Sequence, residues 1–139
     1  MIEFDFKNKT KHRVLEKNLR KIVEKFSKVF YPSENIQIST TIVTKREIVN
    51  LNKKYFGKNK ATDVISLESK SDLRPKSLGE MVICGDVAQK EAEARGHSLQ
   101  KEIEILFCHG LVHLLGKDHD DKLGRKNWNK ALFKLRKDL

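Results

Sequence analysis

Three histidines lie close together in the stretch HGLVHLLGKDH, which runs from His109 to His119. Two histidines four residues apart lie on one face of a helix, about 5–6 Å apart at Cβ, and can share one metal ion. Gly116 is a residue type that ends helices in the left-handed conformation, so we expect the chain to turn there and carry His119 towards the pair. Three imidazoles leave a fourth position open for water, as in catalytic zinc sites. The pattern predicts a hydrolytic zinc site of His109, His113 and His119.

The residues around this cluster narrow the chemistry. Zinc proteases with the H-E-x-x-H pattern carry a glutamate after the first histidine as general base, and here that residue is Gly110. Peptide hydrolysis is therefore disfavoured. Gly110 could leave space beside the metal or allow close helix packing, and both roles stay open. Asp118 could orient an imidazole through its free N–H or be a plain loop carboxylate. No general base is evident, and we interpret His12 and His97 as surface residues.

The overall charge points to a polyanionic partner. Lys and Arg number 29 against 19 Asp and Glu, which gives a net charge of +10. Such a surplus favours RNA, DNA or an anionic membrane surface, although a merely soluble basic protein remains possible. No apolar run suggests a membrane span, and the start lacks the features of a signal peptide. The isolated cysteines suit a reducing compartment, so we expect a cytoplasmic protein, with Cys108 as a buried small apolar residue.

Cations and aromatic residues are mixed in the stretch NKKYFGKNK at 52–60. Lysines neutralise phosphates, and aromatic rings stack on unpaired bases. This composition makes candidate RNA contacts of Lys54, Tyr55, Lys58 and Lys60. The alternative is a solvated helix end with Tyr55 in the core.

The elements that must position these residues alternate between strands and helices. Apolar periodicity predicts strands over 1–6, 36–43, 62–67 and 78–84, and helices over 12–30, 45–57, 86–95, 99–115 and 122–138. Capping signals support the helix boundaries: a Thr44–Glu47 capping box, Asp86 and Ser98 as N-caps, and Gly57 and Gly96 at helix ends.

The order of these elements indicates the fold class. A strand–helix–strand start favours parallel pairing, whereas the segments 64–68 and 80–84 can form an antiparallel pair. We therefore predict one α+β domain over 1–139. It has a mixed sheet of about four strands covered by about five helices, with the metal site at the end of a central helix.

Several of these motifs resemble one known family. HGLVHLLGKDH resembles the H-G-x-x-H-L-x-G-x-D-H signature of the YbeY family of bacterial ribosomal RNA maturation factors. The run from Leu51 to Gly57, the run ATDVIS at 61–66 and the run LGEMVI at 78–83 resemble further blocks of that family. The resemblance spans roughly residues 36–120 in order, and the histidine motif is highly specific.

The resemblance implies a function that composition and spacing do not give. It implies one zinc ion on His109, His113 and His119 in a single-strand-specific endoribonuclease. The implied role is 3′-end maturation of small-subunit ribosomal RNA and ribosome quality control, with ribosomal RNA, the small subunit and assembly proteins as partners and no membrane. The family usually has an arginine where this chain has Phe56. Because phenylalanine cannot contact a phosphate electrostatically, either Lys54, Lys58 or Lys60 supplies that charge, or the activity is reduced or altered.

Phe56 keeps a second hypothesis open. In it, the protein is a non-catalytic, zinc-containing ribosome assembly factor whose basic surface binds ribosomal RNA. A metalloprotease is a weaker third hypothesis, because the glutamate after His109 is missing.

Overall fold

Strands and helices alternate through the first half of the chain, and three consecutive helices follow the last strand. The structure, a computed structural model, describes residues 2–69, 76–118 and 125–137, without the side chains of 117, 118 and 125. In chain order the elements are β1 (Ile2–Asn8), α1 (Glu16–Phe30), β2 (Ile36–Val43), α2 (Lys45–Phe56), β3 (Val64–Glu68), β4 (Lys76–Cys84), α3 (Gly85–Arg95), α4 (Leu99–Asp118) and α5 (Arg125–Arg136).

The four strands form one mixed sheet in the order β1-β2-β4-β3. β2 pairs in parallel with both β1 and β4. β3 pairs antiparallel with β4 at the edge, with Val64 opposite Ile83. The predicted α+β class and mixed sheet are confirmed, including the antiparallel pair of the third and fourth strands.

Side chains of β4 alternate between two apolar layers, because successive residues of a strand point to opposite faces. Met81 and Ile83 join the main core with residues of α1, α4 and α5. Val82 and Cys84 join a smaller cluster with Ile48 of α2 on the other face. Helix α4 lies in the middle of the main core and contacts β3, β4, α1, α3 and α5. No helix in the described ranges is long and apolar enough to cross a membrane.

Local helix signals in the sequence are largely confirmed. The Thr44 hydroxyl accepts a hydrogen bond from the Glu47 backbone N–H at 3.3 Å. Gly57 and Gly96 end α2 and α3 in the left-handed conformation, with φ of 67° and 70°. A capping box also needs a hydrogen bond from the Thr44 backbone N–H back to the Glu47 side chain. That part of the prediction is wrong, because the Glu47 carboxylate turns to Lys9 and pairs with it at 3.3 Å.

Asp86 does not cap its own helix, contrary to the sequence prediction. α3 begins at Gly85, and the Asp86 carboxylate accepts hydrogen bonds from the Lys45 backbone N–H and the His12 ring, both at 2.9 Å. These bonds hold the pKa of Asp86 below its usual range, the His12 contact most strongly. Asp86 therefore ties three segments together, and His12 lies in a partnered position before α1 and is not a free surface residue.

His97 is also partnered, which corrects its interpretation as a surface residue. Its Nε2 lies 2.6 Å from Oε1 of Glu102, while Arg95 Nη1 lies 2.5 Å from Oε2. The Glu102 side chain is completely buried. Burial opposes its ionisation, but the hydrogen bonds from His97 and Arg95 outweigh burial and lower the pKa of Glu102. This ionised carboxylate fixes the corner between α3 and α4.

We expect Glu102→Gln to lower the free energy of unfolding at pH 7 by about 1–3 kcal/mol, because an amide cannot accept from both partners. Since the folded pKa of Glu102 is lowered, its charge stabilises the fold above the unfolded pKa of about 4.3, and this contribution is lost as the pH falls through the folded pKa. The difference between the two proteins should therefore shrink on acidification. Denaturant unfolding between pH 3 and pH 8, at roughly one-unit steps, measures it.

Glu80→Gln on β4 is the matched control, because Glu80 is exposed and should change stability by less than about 0.5 kcal/mol. A Glu102→Gln difference that stays constant or grows at low pH would contradict the assignment of an ionised, stabilising carboxylate.

Candidate active site

Between Leu106 and Gly116, helix α4 reaches solvent at two residues. Between Leu106 and Gly116 every residue is buried except His109, which is half-buried, and His113, which is exposed. Residues four apart lie on one helical face. The two imidazoles therefore form the single strip of this helical segment that faces outward.

This strip opens into a cleft of about 510 Å³. The cleft is lined by residues from the end of α2 and the following loop, from β3, from α4 and from α5: Asn52, Phe56, Lys58, Lys60, Thr62, Asp63, Val64, Ile65, Ser66, Leu106, His109, His113 and Trp128. Its volume lies within the range of about 300–1,000 Å³ that is usual for ligand sites.

The environment of His109 favours a neutral ring. Burial lowers its pKa most, with a further contribution from Arg136, while the charges of Asp63 and Glu102 oppose the shift. The Trp128 ring lies beside the imidazole, with centroids 5.5 Å apart and planes at 58°. A neutral imidazole offers a lone pair for a metal ion or a proton.

The third predicted metal ligand, His119, lies outside the described residues. Within the described ranges no three His, Cys, Asp or Glu side chains come together as a metal site. The expected left-handed turn at Gly116 is wrong, because α4 continues through it to Asp118. Only the backbone of Asp118 is described, so its predicted contact with an imidazole stays a prediction. The structure thus brings together two of the three predicted ligands.

The loop after α2 carries two of the four predicted RNA contacts into the cleft. Lys58 and Lys60 line it, whereas Lys54 and Tyr55 are outside its lining. The Lys54 ammonium instead lies 5.3 Å from the centre of the Tyr55 ring. Tyr55 is 49% exposed and so is not the core residue of the alternative interpretation.

Several lining residues were missed by reasoning from residue types. Asp63 directly precedes β3, Ser66 lies on β3, and Trp128 lies on α5. The Asp63 Oδ1 accepts a hydrogen bond from the Val64 backbone N–H at 2.8 Å, which fixes the carboxylate at the start of the strand. The available signal for Asp63 was a carboxylate inside the predicted strand 62–67, while Trp128 gave no signal beyond being the single tryptophan.

Gly110 faces the sheet and not the imidazole strip. A Cβ at this position would lie 2.1 Å from Met81 Sδ and 3.4 Å from Ser66 Oγ. The packing role of Gly110 is therefore supported over a role in leaving space beside a metal. The glutamate of a zinc protease has no room at this position.

The fold and the cleft together define a class: a small basic α+β domain with an imidazole pair in a cleft that also holds two lysines and a carboxylate. Such a constellation suits hydrolysis of an anionic substrate.

Comparisons with known proteins identify the family. The family described as Endoribonuclease YbeY matches residues 2–138. A relative named Endoribonuclease YbeY from Staphylococcus carnosus is 39% identical over 116 residues, which cover 78% of this chain and 74% of the relative. Another of that name from Staphylococcus saprophyticus is 42% identical over 100 residues, covering 67% and 65%. The chain belongs to the endoribonuclease YbeY family.

A solved structure supports the fold independently. The solution structure of TM1509 from Thermotoga maritima superposes with a TM-score of 0.58 and covers 95% of this chain and 88% of that protein. The two sequences are 20% identical, so this similarity is evidence for the fold alone.

We expect Gly110→Ala to lower the free energy of unfolding by about 1–3 kcal/mol, because the added methyl must displace the buried Met81 side chain. Met81→Ala removes that obstacle, so the double variant should lose less stability than the sum of the two single variants. Denaturant unfolding of all four proteins measures the coupling. Strictly additive losses would show that the two residues do not share the contact.

Proposed function

We propose that this protein is a metal-dependent endoribonuclease that cleaves single-stranded RNA, with one zinc ion on His109, His113 and His119. The observation that carries the proposal is the imidazole strip of α4, which opens into the same cleft as Lys58 and Lys60. Membership of the family described as Endoribonuclease YbeY supports the choice of RNA as substrate.

The two described ligands fit a divalent metal of the zinc type. Imidazole nitrogens suit zinc, nickel and copper, and coordination requires the neutral ring. Burial keeps the pKa of His109 low, which favours that form. His119 follows α4 directly in the sequence, and we propose it as the third ligand. A divalent cation held by these histidines would supply positive charge to stabilise a scissile phosphate as negative charge builds on it.

The lysines of the cleft hold the RNA backbone in this proposal. Lys58 and Lys60 lie in a loop whose position is fixed by a hydrogen bond from the Asn52 side chain to the Lys60 carbonyl, at 3.0 Å. Each ammonium acts as a point charge and not as a bidentate clamp. Backbone contacts of this type give affinity without sequence preference.

Asp63 is the proposed proton acceptor. Among the described lining residues it carries the only carboxylate, and its charge acts on His109. It could accept the proton from an attacking water or from a ribose 2′-hydroxyl. Products that end in a 2′,3′-cyclic phosphate would identify the hydroxyl as the nucleophile.

The proposed natural substrate is the 3′ end of precursor small-subunit ribosomal RNA, as the family resemblance implies. Assembly proteins of the small subunit would then be partners, and the protein would act in the cytoplasm. Mapping the ends that the purified protein generates on a 3′-extended small-subunit RNA fragment tests this assignment.

We expect purified wild-type protein to contain about one zinc ion per chain, and His113→Ala to lose most of the metal and at least about 100-fold of the rate of single-stranded RNA cleavage. Removing a metal ligand typically disrupts both properties, since the ion supplies charge stabilisation worth several kcal/mol. Elemental mass spectrometry and gel-based cleavage of a labelled oligonucleotide measure them.

His12→Ala is the matched control, because His12 is held by Asp86 away from the cleft. It should keep its metal and its cleavage rate per folded molecule. Equal cleavage by wild type and His113→Ala would overturn the proposal. RNA binding with zinc present but no cleavage would favour the non-catalytic assembly factor.

We expect Asp63→Asn to lower kcat by about 100- to 10,000-fold, the usual contribution of a general base, while metal content and folding are preserved. The asparagine side-chain oxygen can still accept from Val64, so the start of β3 should keep its structure. Single-turnover cleavage between pH 5 and pH 9 (about one-unit steps) measures the rate and its pH profile. An unchanged rate and profile would exclude Asp63 as the acceptor.

A further inference from the structure

Phe56 is a large apolar side chain that the fold leaves in the cleft. It is 49% exposed and lines the same cleft as the histidine pair. Tyr55 beside it is exposed to the same extent but lies outside the lining. Phe133 on α5 is more exposed, at 71%, but it also lies outside this cleft. Among these exposed aromatic rings, Phe56 is therefore the one that a ligand bound in the cleft would contact.

The backbone that carries Phe56 is held rigidly. The Gly57 N–H donates to the Lys53 carbonyl at 3.0 Å and the Lys58 N–H to the Asn52 carbonyl at 3.3 Å. The buried Asn52 side chain also donates to the Lys60 carbonyl. The last turn of α2 and the loop after it are thereby joined, and the ring is presented on a preorganised support.

The neighbours of Phe56 suggest what would cover it. Lys58 and Lys60 follow it in the chain, and Trp128 and His109 line the same cleft. A nucleotide combines a flat aromatic base with a negatively charged phosphate. Aromatic rings beside ammonium groups are the chemistry that binds single-stranded nucleic acid.

We propose that Phe56 forms a nucleobase subsite, in which an unpaired base of the RNA stacks on the ring next to the phosphate held at the histidine pair. The inference rests on the proposed function for its substrate. Bases inside a duplex are already paired and stacked, so they cannot reach the ring without unpairing. Phe56 would therefore contribute selectivity for single strands, with little preference among bases because every base has a π-face.

The first test is cleavage of a single-stranded RNA oligonucleotide and of a set in which one abasic position is moved along the strand. For wild type, one abasic position near the cleavage site should lower kcat/KM by about 5- to 150-fold, the loss of one stack. Phe56→Ala should lower kcat/KM on the intact strand by a similar factor. On the strand lacking that base it should change little further, because the same contact is already missing.

Variants at the same position separate stacking from a merely apolar or structural role. Phe56→Trp should retain activity because it keeps a π-face, whereas Phe56→Leu should behave like Phe56→Ala. Phe133→Ala is the matched control, since Phe133 is 71% exposed on α5 and lies outside the cleft. It should cleave like wild type. A Phe56→Leu variant with wild-type kcat/KM would overturn the subsite.

Two outcomes distinguish this inference from the proposed function. If the losses in kcat/KM caused by Phe56→Ala and by the abasic position multiply fully, the two changes act independently. With RNA still cleaved, that result overturns the subsite and leaves the proposed nuclease function intact. If wild type cleaves no RNA, fluorescence of an oligonucleotide containing 2-aminopurine still tests the subsite. Quenching on binding that Phe56→Ala abolishes would support stacking, and quenching unaffected by Phe56→Ala would overturn it.

Discussion

Burial of α4 on all sides but one fixes the geometry of the candidate site. From Leu106 to Gly116 the helix is enclosed by the sheet and neighbouring helices, and the two histidines occupy its open strip. Each buried Leu, Val or Phe on the enclosed sides contributes roughly 1.5–3 kcal/mol. Turning the helix by one residue, about 100°, would expose several of them. The imidazoles are therefore held in the cleft by packing around the helix and need no strong contact of their own.

A close helix–sheet contact at Gly110 and the buried charge of Glu102 also position α4. Gly110 lets α4 lie directly on Met81 of β4, which sets the depth of the helix over the sheet. One turn before Leu106, the buried Glu102 accepts hydrogen bonds from His97 and Arg95 at the α3–α4 corner. The negative charge of Glu102 also acts on His109 and opposes the lowering of its pKa by burial. The same carboxylate that fixes the α3–α4 corner therefore also affects the site.

The sequence predicts features that depend on local chemistry and misses those that depend on distant partners. Thr44, Gly57 and Gly96 mark helix boundaries correctly, because their hydrogen bonds and backbone conformations involve residues a few positions away. Asp86 satisfies the same cap pattern, yet its carboxylate bonds Lys45 and His12 from other segments. The pair His109 and His113 was predictable from helical spacing, whereas Asp63 and Trp128 enter the cleft through tertiary packing.

The edge strand β3 explains how these separate segments meet. α2 packs with Val82 and Cys84 on one face of the sheet, while α4 packs with Met81 and Ile83 on the other. The end of α2 and the histidine strip of α4 can share a cleft only beside an edge of the sheet. β3 forms that edge and supplies Val64, Ile65 and Ser66 to the lining. β3 follows α2 in the chain and pairs antiparallel with β4 at the edge of the sheet. This placement brings Phe56, Lys58 and Lys60, from the end of α2 and the loop after it, to the cleft that holds the imidazoles of α4. The proposed substrate-holding groups and the pair His109 and His113 therefore belong to different layers of the fold, so either set can change without repacking the other.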